Sequence, residues 1–144
     1  MKKFVKINKM LLLAAGMLVT FTATAESSWS VGHGYTSGGV VGAQYQWRQD
    51  DIKFTAAAGA LGLAVGVQRS IDDARKHSIG LATGVEAITA NKGFLLGTYQ
   101  YYPAGFANSG MRWGLSAGVR RDDGTGWGEE KTKAAVSLEI GYQF

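Results

Sequence analysis

Val136-Ser137-Leu138-Glu139-Ile140-Gly141-Tyr142-Gln143-Phe144 closes the chain with an apolar side chain at every second position and Ser, Glu, Gly and Gln between them. Side chains on a strand alternate between two faces, so a period of two predicts one greasy and one polar face. The run stops on an aromatic residue in mid-alternation, with no polar tail after it. The expectation is the last strand of a closed sheet whose outer face meets lipid.

Seven earlier runs share this period and are separated by turn residues. The first sets Trp29, Val31, His33 and Tyr35 against Ser28, Ser30, Gly32 and Gly34, and the second sets Val41, Ala43, Tyr45 and Trp47 against Gly42, Gln44, Gln46 and Arg48. The third places Ile52, Phe54, Ala56 and Ala58 opposite Lys53, Thr55 and Ala57, and the fourth Leu61, Leu63, Val65 and Val67 opposite Gly62, Ala64, Gly66 and Gln68. Ile79, Leu81, Thr83 and Val85 mark the fifth, with Glu86 on its other face; Leu95, Gly97, Tyr99 and Tyr101 mark the sixth, against Phe94, Leu96, Thr98 and Gln100. The seventh has Met111, Trp113, Leu115, Ala117 and Val119 against Arg112, Gly114, Ser116, Gly118 and Arg120, and the polar face of the eighth reaches back to Lys133. Between the third and fourth runs the apolar face switches from even to odd positions, which one uninterrupted strand cannot do. A hairpin turn at residues 59–62 resolves the conflict and makes the strand count even, as in bacterial single-chain barrels.

Residues 1–25 have a different character. Lys2, Lys3, Lys6 and Lys9 precede an apolar run from Met10 to Phe21, and Ala23-Thr24-Ala25 forms a small-residue cleavage pattern. This is the layout of a cleaved secretory signal peptide, its apolar run well short of the ~20 residues a membrane-spanning helix needs. The expected organisation is signal peptide 1–25 and barrel 26–144. The leader holds four of the fifteen Lys and Arg residues and none of the eleven acids, so the rest is balanced at eleven against eleven. The predicted pI of 9.4 therefore belongs to the leader and gives no reason to expect a nucleic-acid partner. With no Cys in the chain, disulfides cannot reinforce it and a lipoprotein-type anchor is excluded.

The polar face separates a membrane barrel from a soluble sandwich. A solvated face is dense in Lys, Glu, Thr and Asp, whereas here Gly, Ser and Ala dominate, with scattered charges that suit a narrow lumen filled by its own side chains. The expected lumen polar network is Lys53, Glu86, Arg112, Arg120, Lys133 and Glu139 with Gln44, Gln46 and Gln68, and an Arg112–Glu139 ion pair is expected across the last hairpin. The aromatics sort by strand end. Trp29, Phe54 and Trp113 start odd strands, and Trp47, Tyr99, Tyr101, Tyr142 and Phe144 finish even ones, which places all of them on one rim as a periplasmic girdle. Tyr35, Phe94 and Trp127 are expected at the opposite rim, Trp127 on the external loop.

Together, an export leader, short alternating strands and the ending Leu138-Glu139-Ile140-Gly141-Tyr142-Gln143-Phe144 resemble the small outer-membrane barrels of Gram-negative bacteria, the OmpA and OmpX-like class. The resemblance implies an all-β fold, an antiparallel up-and-down eight-stranded transmembrane β-barrel in the cell outer membrane. It also implies that Leu138, Ile140, Gly141, Tyr142 and Phe144 form a C-terminal signal read by the barrel assembly machinery. Outer-membrane lipid and lipopolysaccharide are the expected surroundings, and the expected state is a monomer.

For catalysis the residues offer little. His33 lacks a Ser or carboxylate neighbour, and His77 and Ser78 point to opposite faces of one strand. No catalytic residue, cofactor or metal site is expected. The reading is a non-enzymatic barrel serving envelope integrity or surface interaction; a small pore and a lipid A-modifying enzyme are the alternatives.

Overall fold

A computed structural model of the protein describes residues 26–122 and 131–144. Eight antiparallel strands follow in chain order, each hydrogen-bonded to the next, and the last pairs with the first to close a barrel. They are β1 (Glu26–Gly34), β2 (Gly39–Gln49), β3 (Ile52–Gly59), β4 (Gly62–Ser70), β5 (His77–Glu86), β6 (Ala90–Tyr101), β7 (Gly110–Asp122) and β8 (Lys131–Gln143). The face switch between the third and fourth runs is a turn at residues 60–61, with Ala58 paired to Leu63 across it. The expected signal peptide and Trp127 lie outside the described residues.

Side-chain sorting is the inverse of that in a water-soluble domain. Val31, Val41, Leu63, Val65, Leu81, Leu95, Leu115, Val136, Leu138 and Ile140 stand exposed on the outer wall. Ser30, Gln44, Gln46, Lys53, Gln68, Ser78, Gln100, Arg112, Ser116, Glu139 and Gln143 are buried inside it. A soluble chain hides aliphatic residues and leaves Lys, Arg and Glu in water. Here one apolar cluster, Ala57, Ala64, Ala90, Phe94, Leu96 and Ala135, shares the lumen with the polar groups. Leu96 and Phe94 point inward because β6 pairs through Leu95↔Val119 and Tyr99↔Leu115, which commits Leu95 and Tyr99 to the outer face.

At both ends of the barrel a connecting segment turns inward. At the end away from the termini, β1 and β2 are joined by a 3₁₀ turn, Tyr35–Ser37, whose Thr36 and Ser37 are buried. The turn is terminated by Gly38 in the left-handed region (φ 84°), where a side chain is disfavoured. Gly34, at φ 116°, is required on two counts, since a Cβ there would also strike the Glu139 carboxylate. At the termini end, residues 102–109 between β6 and β7 carry Tyr102 and Phe106 into the lumen, where both are fully buried and meet edge to face at 5.3 Å.

Candidate functional site

Among the described residues the lumen contains three connected groups of polar side chains. Nearest the termini, the Lys53 ammonium donates to the Phe106 carbonyl and to Gln143 Oε1, both at 2.7 Å, and lies 4.3 and 4.2 Å from the ring centres of Tyr102 and Phe106. A desolvated cation over aromatic faces recovers part of its lost hydration through the ring quadrupoles. Gln143 Nε2 donates to the Asn108 carbonyl at 3.0 Å, and Tyr102 donates its hydroxyl to Gln68 Oε1 at 2.7 Å. Lys53 of β3 thus latches the 102–109 segment inside the barrel.

At mid-lumen, Arg112 of β7 is 0 % exposed and donates to Gln100 Oε1 and Ser37 Oγ, each at 2.9 Å. Its guanidinium lies over Gly141 and Gly32, where a Cβ would collide with it. Gln44, Gln46 and Ser30 form a chain of hydrogen bonds from β1 to β2, and Gln44 Nε2 reaches the Thr36 carbonyl at 2.9 Å. Glu139 of β8, 2 % exposed, accepts from the Thr36 hydroxyl and backbone N–H and from Ser116 Oγ at 2.9 Å. The inward turn of residues 35–37 is therefore held by Gln44, Arg112 and Glu139 together.

The far mouth carries the third group. Glu86 accepts from the backbone N–H groups of Ile88 and Thr89 at 3.0 and 2.8 Å, and Arg120 Nη1 donates to the Tyr35 hydroxyl at 3.2 Å. Tyr35 also bonds Thr89 Oγ1 and packs on Phe94 at 5.0 Å.

Three expectations need correction. Glu139 faces Gly114, two residues from Arg112 on β7, yet among the described residues no ion pair joins it to Arg112. The inserted turn separates the two, Ser37 taking Arg112 and Thr36 taking Glu139. Lys133 shares the inward parity of β8 but stands beyond the filled lumen, half exposed, and pairs with Asp122 at 3.1 Å. Tyr35 and Phe94 do stand at the end opposite the termini, but they pack on each other in the lumen mouth instead of forming an outward girdle. Arg120 is half-buried there, while Glu86, Gln44, Gln46 and Gln68 are buried with Lys53.

On the outer wall the aromatics gather near the termini. Trp29, Tyr45, Trp47 and Phe54 form a contiguous row across β1–β3 with ring centres 5.1, 5.8 and 6.0 Å apart. Tyr99 and Tyr101 flank His77, Tyr142 packs on Phe144, and Trp113 is exposed opposite Tyr101. Leu138 and Ile140 are exposed on the outer face of β8, while Gly141 is buried against Arg112.

No family model, curated protein or solved structure matches this chain.

The two histidines serve locally. His33 Nδ1 bonds the Val40 carbonyl at 2.7 Å, and His77 Nδ1 bonds the Tyr99 hydroxyl at 2.6 Å, with Ser78 buried on the opposite face against Gln68. Asp72, in the turn after β4, accepts from the backbone N–H groups of Lys76 and His77. Desolvation raises its carboxyl, but those donors and the nearby His77 outweigh it and hold Asp72 below its ordinary value. Inward direction of the two connecting segments is what sequence reasoning missed; Lys53 and Glu139, the inward charges that draw them in, were the available signal.

Proposed function

We propose that this chain is a sealed, monomeric β-barrel of a Gram-negative outer membrane, delivered by its leader. In this reading it acts without catalysis, in envelope integrity or surface interaction. The observation that carries the reading is the inverted sorting: an aliphatic outer wall, bordered near the termini by aromatic rings, around a lumen occupied by Lys53, Arg112, Glu139 and their partners. Only lipid makes such a wall favourable, and only a closed barrel satisfies strand backbone in hydrocarbon. Aromatic residues at one border fit a membrane–water interface, with the termini on the periplasmic side.

A sealed lumen favours a structural role over transport. Conduction needs a continuous polar path, whereas here inserted chain occupies both ends. In planar bilayers the purified barrel is expected to give no single-channel steps, and its expression is expected to leave the lipid A mass spectrum unchanged. Reproducible steps altered by Arg112→Ala would replace this reading with a pore. A new lipid A species lost in His33→Ala would replace it with a lipid-modifying enzyme.

A further inference from the structure

The barrel wall closes through only four residue pairs between β1 and β8, from Ser30↔Gln143 to His33↔Ile140. Beyond Ile140, β8 continues along β7 as far as Lys131, whereas β1 ends at Gly34 and the chain turns into the lumen. The Phe144 N–H donates to the Trp29 carbonyl. Backbone direction repeats at every second residue, so the N–H and C=O groups of Leu138, Val136 and Ala134 face the side that β1 has vacated. Among the described residues no backbone hydrogen bond closes that edge.

A cavity of about 210 Å³ opens at this gap. His33 bounds it on β1, Ser137 on β8, and Val40, Leu61, Tyr35 and Ile88 supply much of its lining. Ser137 belongs to the inward set of β8, while His33 and Val40 belong to outward sets. The cavity therefore passes through the wall.

We propose that this cleft binds one acyl chain of a membrane lipid, entering sideways from the bilayer between β1 and β8; the proposal rests on the membrane reading above. Val136 and Leu138, 71 % and 74 % exposed, are the outward neighbours of Ser137 on β8, so the β8 side of the cleft borders the aliphatic wall where it meets the far mouth. Val40, Leu61 and Ile88 offer apolar lining to the chain, beside Glu86 and Thr89, whose side chains are hydrogen-bonded to each other. The carbonyl of the ester or amide that joins an acyl chain to its headgroup accepts from the Ala134 N–H, at the headgroup end of that edge, a donor that hydrocarbon alone leaves unsatisfied at a cost of several kcal/mol, while the Leu138 carbonyl already accepts from Ser137 Oγ at 3.3 Å. A second copy of the barrel does not fit. Copies inserted in the same sense are related by an axis along the membrane normal, so their tilted β8 edges cross and cannot pair along their length.

The chain has no cysteine, so single-cysteine labelling is unambiguous. Bimane is attached to Ser137→Cys, to Leu138→Cys as the lipid-facing reference, and to Ala57→Cys, which points inward behind a fully paired wall. Each protein is folded into phosphatidylcholine vesicles whose acyl chains carry bromine. The expected result is quenching at Ser137 comparable with that at Leu138 and none at Ala57. Leu61→Trp, which fills the cavity from its far side, is expected to abolish the Ser137 quenching and spare that of Leu138. Label on Thr89→Cys, which also lines the cavity, gives a second reading should Ser137→Cys not fold. Protection of the Ser137 and Thr89 labels with full quenching at Leu138 overturns the cleft alone, whether a neighbouring strand or the chain itself closes the wall. Loss of quenching at Leu138 as well overturns the membrane reading with it.

Discussion

Placing arginine on the outer wall tests the facing of every strand, and Leu138 is the informative position. It stands six residue steps before Phe144, and it pairs with Leu115 of β7. At roughly 3.3 Å per residue and a tilt of about 40°, Leu138 lies about 15 Å above the chain end, near the middle of an apolar band about 25 Å tall. A cation there has the largest penalty, about 2–4 kcal/mol. Ile52 is the matched control. It opens β3 beside the 50–51 turn and already faces Arg69 across the strand pair, so Ile52→Arg sits at the interface and costs about 0–1 kcal/mol. Urea unfolding of each variant in phosphatidylcholine vesicles, followed by Trp fluorescence, gives both numbers. Equal costs at the two positions, or a negligible one at Leu138, would refute the assigned facing.

Lys53→Met retains the apolar stem but removes two hydrogen bonds and the cation between two rings, an expected loss of about 2–4 kcal/mol. Limited proteolysis is expected to cut within residues 102–109 sooner than in the parent; unchanged cleavage contradicts the latch. Glu139→Ala leaves the Thr36 and Ser116 donors unsatisfied and is expected to cost about 2–5 kcal/mol, with Glu139→Gln milder because its carbonyl oxygen still accepts. Urea titration ranks the three proteins, and equal stability of Glu139→Ala and the parent removes the anchor from the inserted turn. Asp72 has a folded pKa below its ordinary 3.8, so its contribution is fully present above that value and is lost as pH falls through the lowered one. Amide exchange at Lys76 and His77 is expected to accelerate across that acid range in the parent and to be pH-independent, beyond intrinsic chemistry, in Asp72→Asn.

Alternation made the walls legible and left the ends obscure. The period of two assigns Leu138, Ile140 and Tyr142 to one face and Glu139 and Gln143 to the other from neighbouring residues alone, because the pleat admits no other sorting. The parity switch between Ala58 and Leu61 locates a turn for the same reason. On β6 both faces are apolar, so Phe94 and Leu96 take their direction from pairing with β5 and β7, which local sequence does not encode. Gly, Ser, Pro and Asn mark residues 36–38 and 103–109 as turns but say nothing of whether a turn points out or in. That direction is set by Glu139, 103 positions from Thr36, and by Lys53, 53 positions from Phe106. The Arg112–Glu139 expectation failed there too: its register was right, and the inserted Thr36 and Ser37 took both partners.

Membrane insertion is the central claim, and proteolysis of the chain folded into sealed vesicles tests it most directly. With β1–β8 crossing the bilayer, added protease is expected to leave one protected barrel core that runs faster on an unheated gel than after boiling. A chain that remains in the aqueous fraction, is digested throughout and migrates identically before and after heating contradicts the account.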